Sequence, residues 1–171
     1  MNYKVTGGKK LSGSVTTNIS KNAAVGLLCA SLLNKGTTTL KGMPKIEEVK
    51  RLIEVLESIG VSVVWENGLT ASGNAQAGDM KITPPGKLKL ENINREAAGK
   101  TRSIAMFIGP IAHLFAEFEL PLPGGCKLGG RTMMPHIQAL SKLGIEISNG
   151  SSDTYRVKTT NIHPAEIVMY E

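Results

Sequence analysis

The feature that most constrains this chain is a diverged internal repeat, because repeated units must bury their apolar faces against one another. Ser58-Ile59-Gly60-Val61 and Lys142-Leu143-Gly144-Ile145 stand 84 residues apart, each reading as a helix end closed by glycine and followed by a β-branched residue. Around the first anchor the chain reads as an apolar helix (22–33), a short strand (37–40), a turn at Pro44, an amphipathic helix (46–59) and a strand pair (61–65 and 69–72). The second copy gives a helix over 101–115, a strand over 117–122, a turn over 123–130, a helix over 133–143 and strands at 146–148 and 155–158. An extended stretch at 165–170 then opens a third copy. The expectation is an α/β chain, of the α+β kind, holding two helix-and-sheet units and the start of a third, an incomplete array.

The two helices of each copy differ in pattern. Ile46, Val49, Leu52, Ile53, Leu56 and Ile59 recur at spacings of three and four, with Glu47, Glu48, Lys50 and Glu54 on the solvent side, so this helix is expected to lie on a sheet. The 23–33 segment has almost no polar face and is expected to be enclosed by other helices, as is 104–115, where Gly109-Pro110 should kink or divide it. The 81–91 segment reads as extended, with a turn at Pro84-Pro85-Gly86.

Composition narrows the function. None of the apolar stretches reaches the roughly 20 residues of a membrane span, and the N-terminus has no signal-peptide core, so a cytoplasmic protein with no membrane partner is expected. Twenty basic against 14 acidic residues give a net charge of +6, which suits an anionic ligand. The cations are scattered and seven aromatics supply no base-stacking strand, so phosphorylated metabolites fit better than nucleic acid. Cys29 and Cys126 lie in unlike settings, and His113, His136 and His163 fall at no ligand spacing, so neither a disulfide nor a metal is expected.

Two stretches could carry chemistry. In Leu122-Pro123-Gly124-Gly125-Cys126-Lys127-Leu128-Gly129-Gly130-Arg131, a glycine-rich loop displays a thiol between cations that favour its thiolate; a flexible hairpin with an incidental cysteine is the plainer alternative. Ser20-Lys21-Asn22 and Lys100-Thr101-Arg102 precede the apolar helices of the two copies, so their cations could converge on one phosphate, held bidentately by Arg102. The plainer alternative for Lys21 is a solvated lysine beside a capping Ser20.

Taken together, Lys21-Asn22-Ala23-Ala24, the Lys-Thr-Arg run leading to Gly109-Pro110, Leu-Pro-Gly-Gly-Cys126 and Gly-Gly-Arg131 resemble the UDP-N-acetylglucosamine 1-carboxyvinyltransferase family of enolpyruvyl transferases, over essentially Val5 to Tyr170. The resemblance implies an inside-out α/β domain of three related units, here incomplete, facing a second domain across the active site. It makes residues 1–20 part of, or a bridge to, that second domain, and 21–171 the enolpyruvyl transferase-like domain. It also implies transfer of enolpyruvate from phosphoenolpyruvate to the 3′-hydroxyl of UDP-N-acetylglucosamine, the first committed step of peptidoglycan synthesis, without cofactor or metal. Lys21, Arg102 and Arg131 would bind phosphoenolpyruvate, Asn22 the sugar nucleotide, and Cys126 would act from the lid in proton donation or product release. The family's catalytic aspartate and further arginines come from a C-terminal half absent from these residues, so this chain alone is expected to be inactive. Ile19-Ser20 stands where the family has Gly-Ala, and Thr132-Met133-Met134-Pro135 departs from its nucleotide-binding pattern. Two alternatives remain: a shikimate-pathway enolpyruvyl transferase, which typically lacks the cysteine lid, and a non-catalytic module binding phosphorylated ligands or a partner on the same fold.

Overall fold

The computed structural model describes residues 4, 6–8, 10, 12–14, 19–66, 77–124 and 132–168. Within them the repeat is realised as two units with the same element order. The first unit contains α1 (Lys21–Ala30), β1 (Thr38–Pro44), α2 (Glu47–Ser58), β2 (Ser62–Glu66) and β3 (Ala77–Thr83). After the short α3 (Arg95–Gly99), the second runs through a 3-10 helix (Arg102–Phe107), α4 (Ile108–Ala112), β4 (Glu117–Pro121), α5 (Met134–Lys142), β5 (Ile145–Asn149) and β6 (Thr154–Thr159). Each unit folds its strands into an antiparallel three-stranded sheet of the same topology, β1-β3-β2 in one and β4-β6-β5 in the other. In both, the last strand of the unit is central and the two earlier strands flank it.

α2 follows its sequence pattern: Val49, Leu52, Ile53, Val55 and Leu56 are buried, and two acids in its first turn complement the helix dipole. These residues share one core with α1, both sheets and the Ile104–Ile111 segment, in which Phe107 is the largest fully buried side chain. Each such aliphatic side chain contributes about 1.5–3 kcal/mol on leaving water.

Several expectations are corrected. α1 is not enclosed: Ala24, Val25, Leu28 and Cys29 face the core, but Ala23, Leu27, Ala30 and, just beyond the helix, Leu33 remain exposed. The 101–115 helix is divided, as Gly109-Pro110 suggested, but at Phe107/Ile108, so that Pro110 falls in the opening turns of α4, where its missing N–H costs no hydrogen bond. The 81–91 segment is extended only as far as Thr83. Pro84 and Pro85 provide no N–H to continue a ladder; beyond them Leu88 buries itself, Lys89 N–H donates to Ile59 O, and Leu90–Asn92 forms a 3-10 turn. The partner strand of β2 is 77–83, while the expected strand at 69–72 lies outside the described residues. Residues 165–168 belong to no strand, and the rest of that expected strand is outside the described residues. Among the described residues no helix is long and apolar enough to cross a membrane.

Candidate active site

The equivalence of the two units brings their leading helix starts to one place. A cleft of about 1050 Å³ is lined by Lys21 from α1, Glu48 from α2, Lys100 to Ser103, Pro123 and Gly124 after β4, and Thr132, Met133 and His136 around the start of α5. Ser20 caps α1 by accepting from Ala23 N–H at 3.3 Å, and Thr101 caps the 3-10 helix by accepting from Ser103 N–H at 3.1 Å. Both caps hold the following cation at the mouth of its helix.

Lys21 stands beside its capping Ser20, as the plainer alternative expected, and is also paired. Its ammonium donates to Glu48 Oε2 at 2.6 Å while the side chain stays about half exposed. The other carboxylate oxygen of Glu48 accepts from Thr101 Oγ1 at 3.1 Å and from Ser103 Oγ. Burial pushes this carboxyl up, but the hydrogen bonds from Lys21 and Ser103, the charge on Lys21 and the Thr101 hydroxyl outweigh it, so its pKa lies below the ordinary value. Arg102 donates through Nη2 to Thr132 O at 3.0 Å, which ties the second unit's leading helix to the segment just before α5. Because that helix is a six-residue 3-10 segment, the charge of Arg102 rather than a helix dipole is what it offers an anion.

Asn22 is exposed in the first turn of α1. Cys126 and Arg131 lie outside the described residues, but the residues nearest them on either side, Gly124 and Thr132, both line the cleft. Gly124 packs backbone against backbone on the end of α3: a Cβ there would fall 1.5 Å from the carbonyl oxygen of Gly99. The segment carrying Lys100 to Arg102 and the stem of the glycine-rich stretch are thus in direct contact.

Glu48 was misplaced by the sequence pattern, which put it on the solvent side of α2. Its side chain is about a quarter exposed, and its partners lie 27, 53 and 55 residues away, so no local spacing marks it. Arg51, one turn further on, also lines the cleft and is braced by Glu47 and Glu54. The cleft is consequently mixed in charge, with cations held in place by carboxylates.

Two copies of a helix-and-sheet unit with matching strand order, joined around a cleft lined by paired cations and carboxylates, define a repeat-built α/β scaffold. A family profile described as EPSP synthase (3-phosphoshikimate 1-carboxyvinyltransferase) matches residues 5–169, and the chain belongs to that family. Among curated relatives, the UDP-N-acetylglucosamine 1-carboxyvinyltransferase of Sulfurovum sp. is 32% identical over 96% of this chain and 36% of its own length. That of Fervidobacterium nodosum is 37% identical over 81% of this chain and 30% of its own length. Among solved structures, the enolpyruvyl transferase NikO from Streptomyces tendae superposes with a TM-score of 0.69 at 13% identity, covering 92% of this chain and 32% of NikO, a likeness of fold. The chain spans about a third of the length of the curated relatives it matches.

Proposed function

We propose that this chain provides the phosphoenolpyruvate-binding wall of a UDP-N-acetylglucosamine 1-carboxyvinyltransferase. The observation that carries the reading is that Lys21 and Arg102, from equivalent positions of the two units, line one cleft together with the stem of the glycine-rich cysteine segment. The name borne by the relatives supplies a carboxyvinyl group transferred to UDP-N-acetylglucosamine; the family resemblance adds phosphoenolpyruvate as donor, the 3′-hydroxyl as acceptor and a place in peptidoglycan synthesis. In this reading residues 21–171 form the enolpyruvyl transferase-like domain and residues 1–20 belong to, or bridge to, a second domain. The activity is placed in the cytoplasm, where both substrates are soluble.

In this reaction the methylene carbon of phosphoenolpyruvate gains a proton, and the adjacent carbon, now electron-poor, is attacked by the sugar hydroxyl as that hydroxyl loses its proton to a base. The tetrahedral adduct then expels phosphate and a methyl proton to restore the enol ether. Lys21, Arg102 and Arg131 neutralise the phosphate and carboxylate, so their contribution is positioning and preorganised charge. Lys21 keeps two further ammonium donors beyond the one given to Glu48, enough to engage an anion without abandoning its carboxylate. Asn22 contacts the sugar nucleotide. Cys126 acts from the lid, in proton delivery or product release.

The base for the 3′-hydroxyl and the remaining anion ligands are assigned to the portion of the relatives that this chain does not span. Phosphate release from phosphoenolpyruvate tests the reading: it should require UDP-N-acetylglucosamine in the full-length protein, collapse in Cys126→Ala, and be absent from residues 1–171 alone. Steady release by residues 1–171 would overturn the division of labour, and release independent of the sugar nucleotide would overturn the transferase.

A further inference from the structure

We infer that Glu48 is a positioning residue for the anion site, holding Lys21 in register with the Thr101–Ser103 segment that carries Arg102. The inference rests on the phosphoenolpyruvate reading of the cleft. Glu48 bonds to both leading helix starts: Oε2 takes Lys21 of the first unit at 2.6 Å, and Oε1 takes the hydroxyls of Thr101, at 3.1 Å, and Ser103 of the second. Residues 21 and 101 are remote in sequence and sit on separate helical segments, so a contact that spans both sets their separation.

The hydrogen-bond accounting is specific. The Thr101 hydroxyl gives its proton to Glu48 and accepts the Ser103 N–H, so carboxylate, cap and helix start form one connected chain. A first-turn acid that served only the α2 dipole, as Glu47 can, would not gather three donors from two other elements. Lysine is a flexible point charge with high rotamer freedom; pinning it before substrate arrives lowers the ordering cost of binding. Placing a carboxylate near an anion site also repels the anion. The inference therefore makes a signed claim, that the gain from holding Lys21 exceeds that repulsion.

The test is a double-mutant cycle on the full-length protein, reading the dissociation constant for phosphoenolpyruvate by titration calorimetry and the thermal midpoint by circular dichroism. Glu48→Gln, which keeps shape but loses charge, should weaken binding about tenfold when Lys21 is present. In a Lys21→Ala background the same change should matter by less than about twofold, because Glu48 acts through the lysine. Glu48→Asp, which keeps the charge one methylene short, should recover part of the loss. An equal effect in both backgrounds, or tighter binding by Glu48→Gln, overturns the positioning role while leaving the anion site standing. Unchanged affinity in Lys21→Ala overturns both this role and the phosphoenolpyruvate reading at Lys21. If Glu48→Gln fails to fold, Glu48→Asp completes the same cycle, with a smaller loss expected only where Lys21 remains.

Discussion

Gly60 and Gly144 occupy the same point of the two units, each following a sheet-packed helix and each in the left-handed region, with φ of +97° and +85°. Their surroundings differ. A Cβ at Gly60 would meet only the Pro85 ring at 3.4 Å, whereas one at Gly144 would fall 1.9 Å from the backbone oxygen of Asn161. Gly60→Ala should therefore cost about 1–2 kcal/mol, the backbone term alone. Gly144→Ala should cost at least about 3 kcal/mol, because the 160–163 segment must move as well. Denaturant unfolding of the two variants measures the difference; equal losses would show that the Asn161 contact yields freely.

Cys29 makes a pH-dependent prediction. Burial pushes its thiol from 9.0 up to about 12. The unfolded chain thus releases this proton near pH 9 while the native chain retains it, so the associated stability is complete below pH 9 and is lost as pH rises towards 12, by roughly 4 kcal/mol. Cys29→Ala should flatten this alkaline decline in a urea-midpoint profile. Burial and the raised pKa keep Cys29 a thiol at pH 8, so iodoacetamide should spare it in the folded protein and modify Cys126 first, at a rate that ligands alter. Mass spectrometry of the alkylated peptides decides this; equal, ligand-independent rates would remove support for a lid thiol.

At acid pH the sign reverses for Glu48. Its folded pKa is lowered, so its contribution to stability is present above the unfolded carboxylate value of 4.5 and disappears as pH falls through the folded one. Carboxyl NMR titration should find it below the ordinary range in the native protein and shifted upward in Lys21→Ala. A titration unchanged by that substitution would show that the 2.6 Å contact does not persist in solution.

Gly124→Ala tests the contact between the loop stem and α3. Its Cβ cannot coexist with the Gly99 carbonyl, so either Pro123–Gly124 or Gly99–Arg102 must shift. Misplacing a substrate-binding group by about 1 Å can cost about a hundredfold in rate. Phosphate release should drop on that scale in a variant whose far-ultraviolet spectrum is unchanged, while retained activity would make the stem's approach to α3 incidental.

The sequence carried the order of elements because two copies corroborated each other: the glycine after each sheet-packed helix and the three-and-four spacing of α2 are local signals. Gly109-Pro110 marked a break in 101–115 without fixing it at Phe107/Ile108, and the exposure of Leu27 and Leu33 was not legible, since an all-apolar segment does not say which of its sides meets a neighbour. The same holds for the site. Lys21 and Arg102 were found as cations ahead of apolar helices, a pattern along the chain. Glu48 was missed because its role is defined by donors from two distant segments, and on α2 it is indistinguishable in spacing from the solvent-facing Glu47.

The central claim is that this cleft serves transfer of enolpyruvate to a sugar nucleotide, although the family profile it matches is described by a phosphoshikimate activity. The most direct measurement is phosphate release by the full-length protein from phosphoenolpyruvate with either UDP-N-acetylglucosamine or 3-phosphoshikimate as acceptor, with the product identified by mass. The account predicts release and an enolpyruvyl ether with the sugar nucleotide, none with 3-phosphoshikimate, and loss of release in Lys21→Ala and Arg102→Ala. Turnover with 3-phosphoshikimate, or undiminished turnover without Lys21 and Arg102, would contradict it.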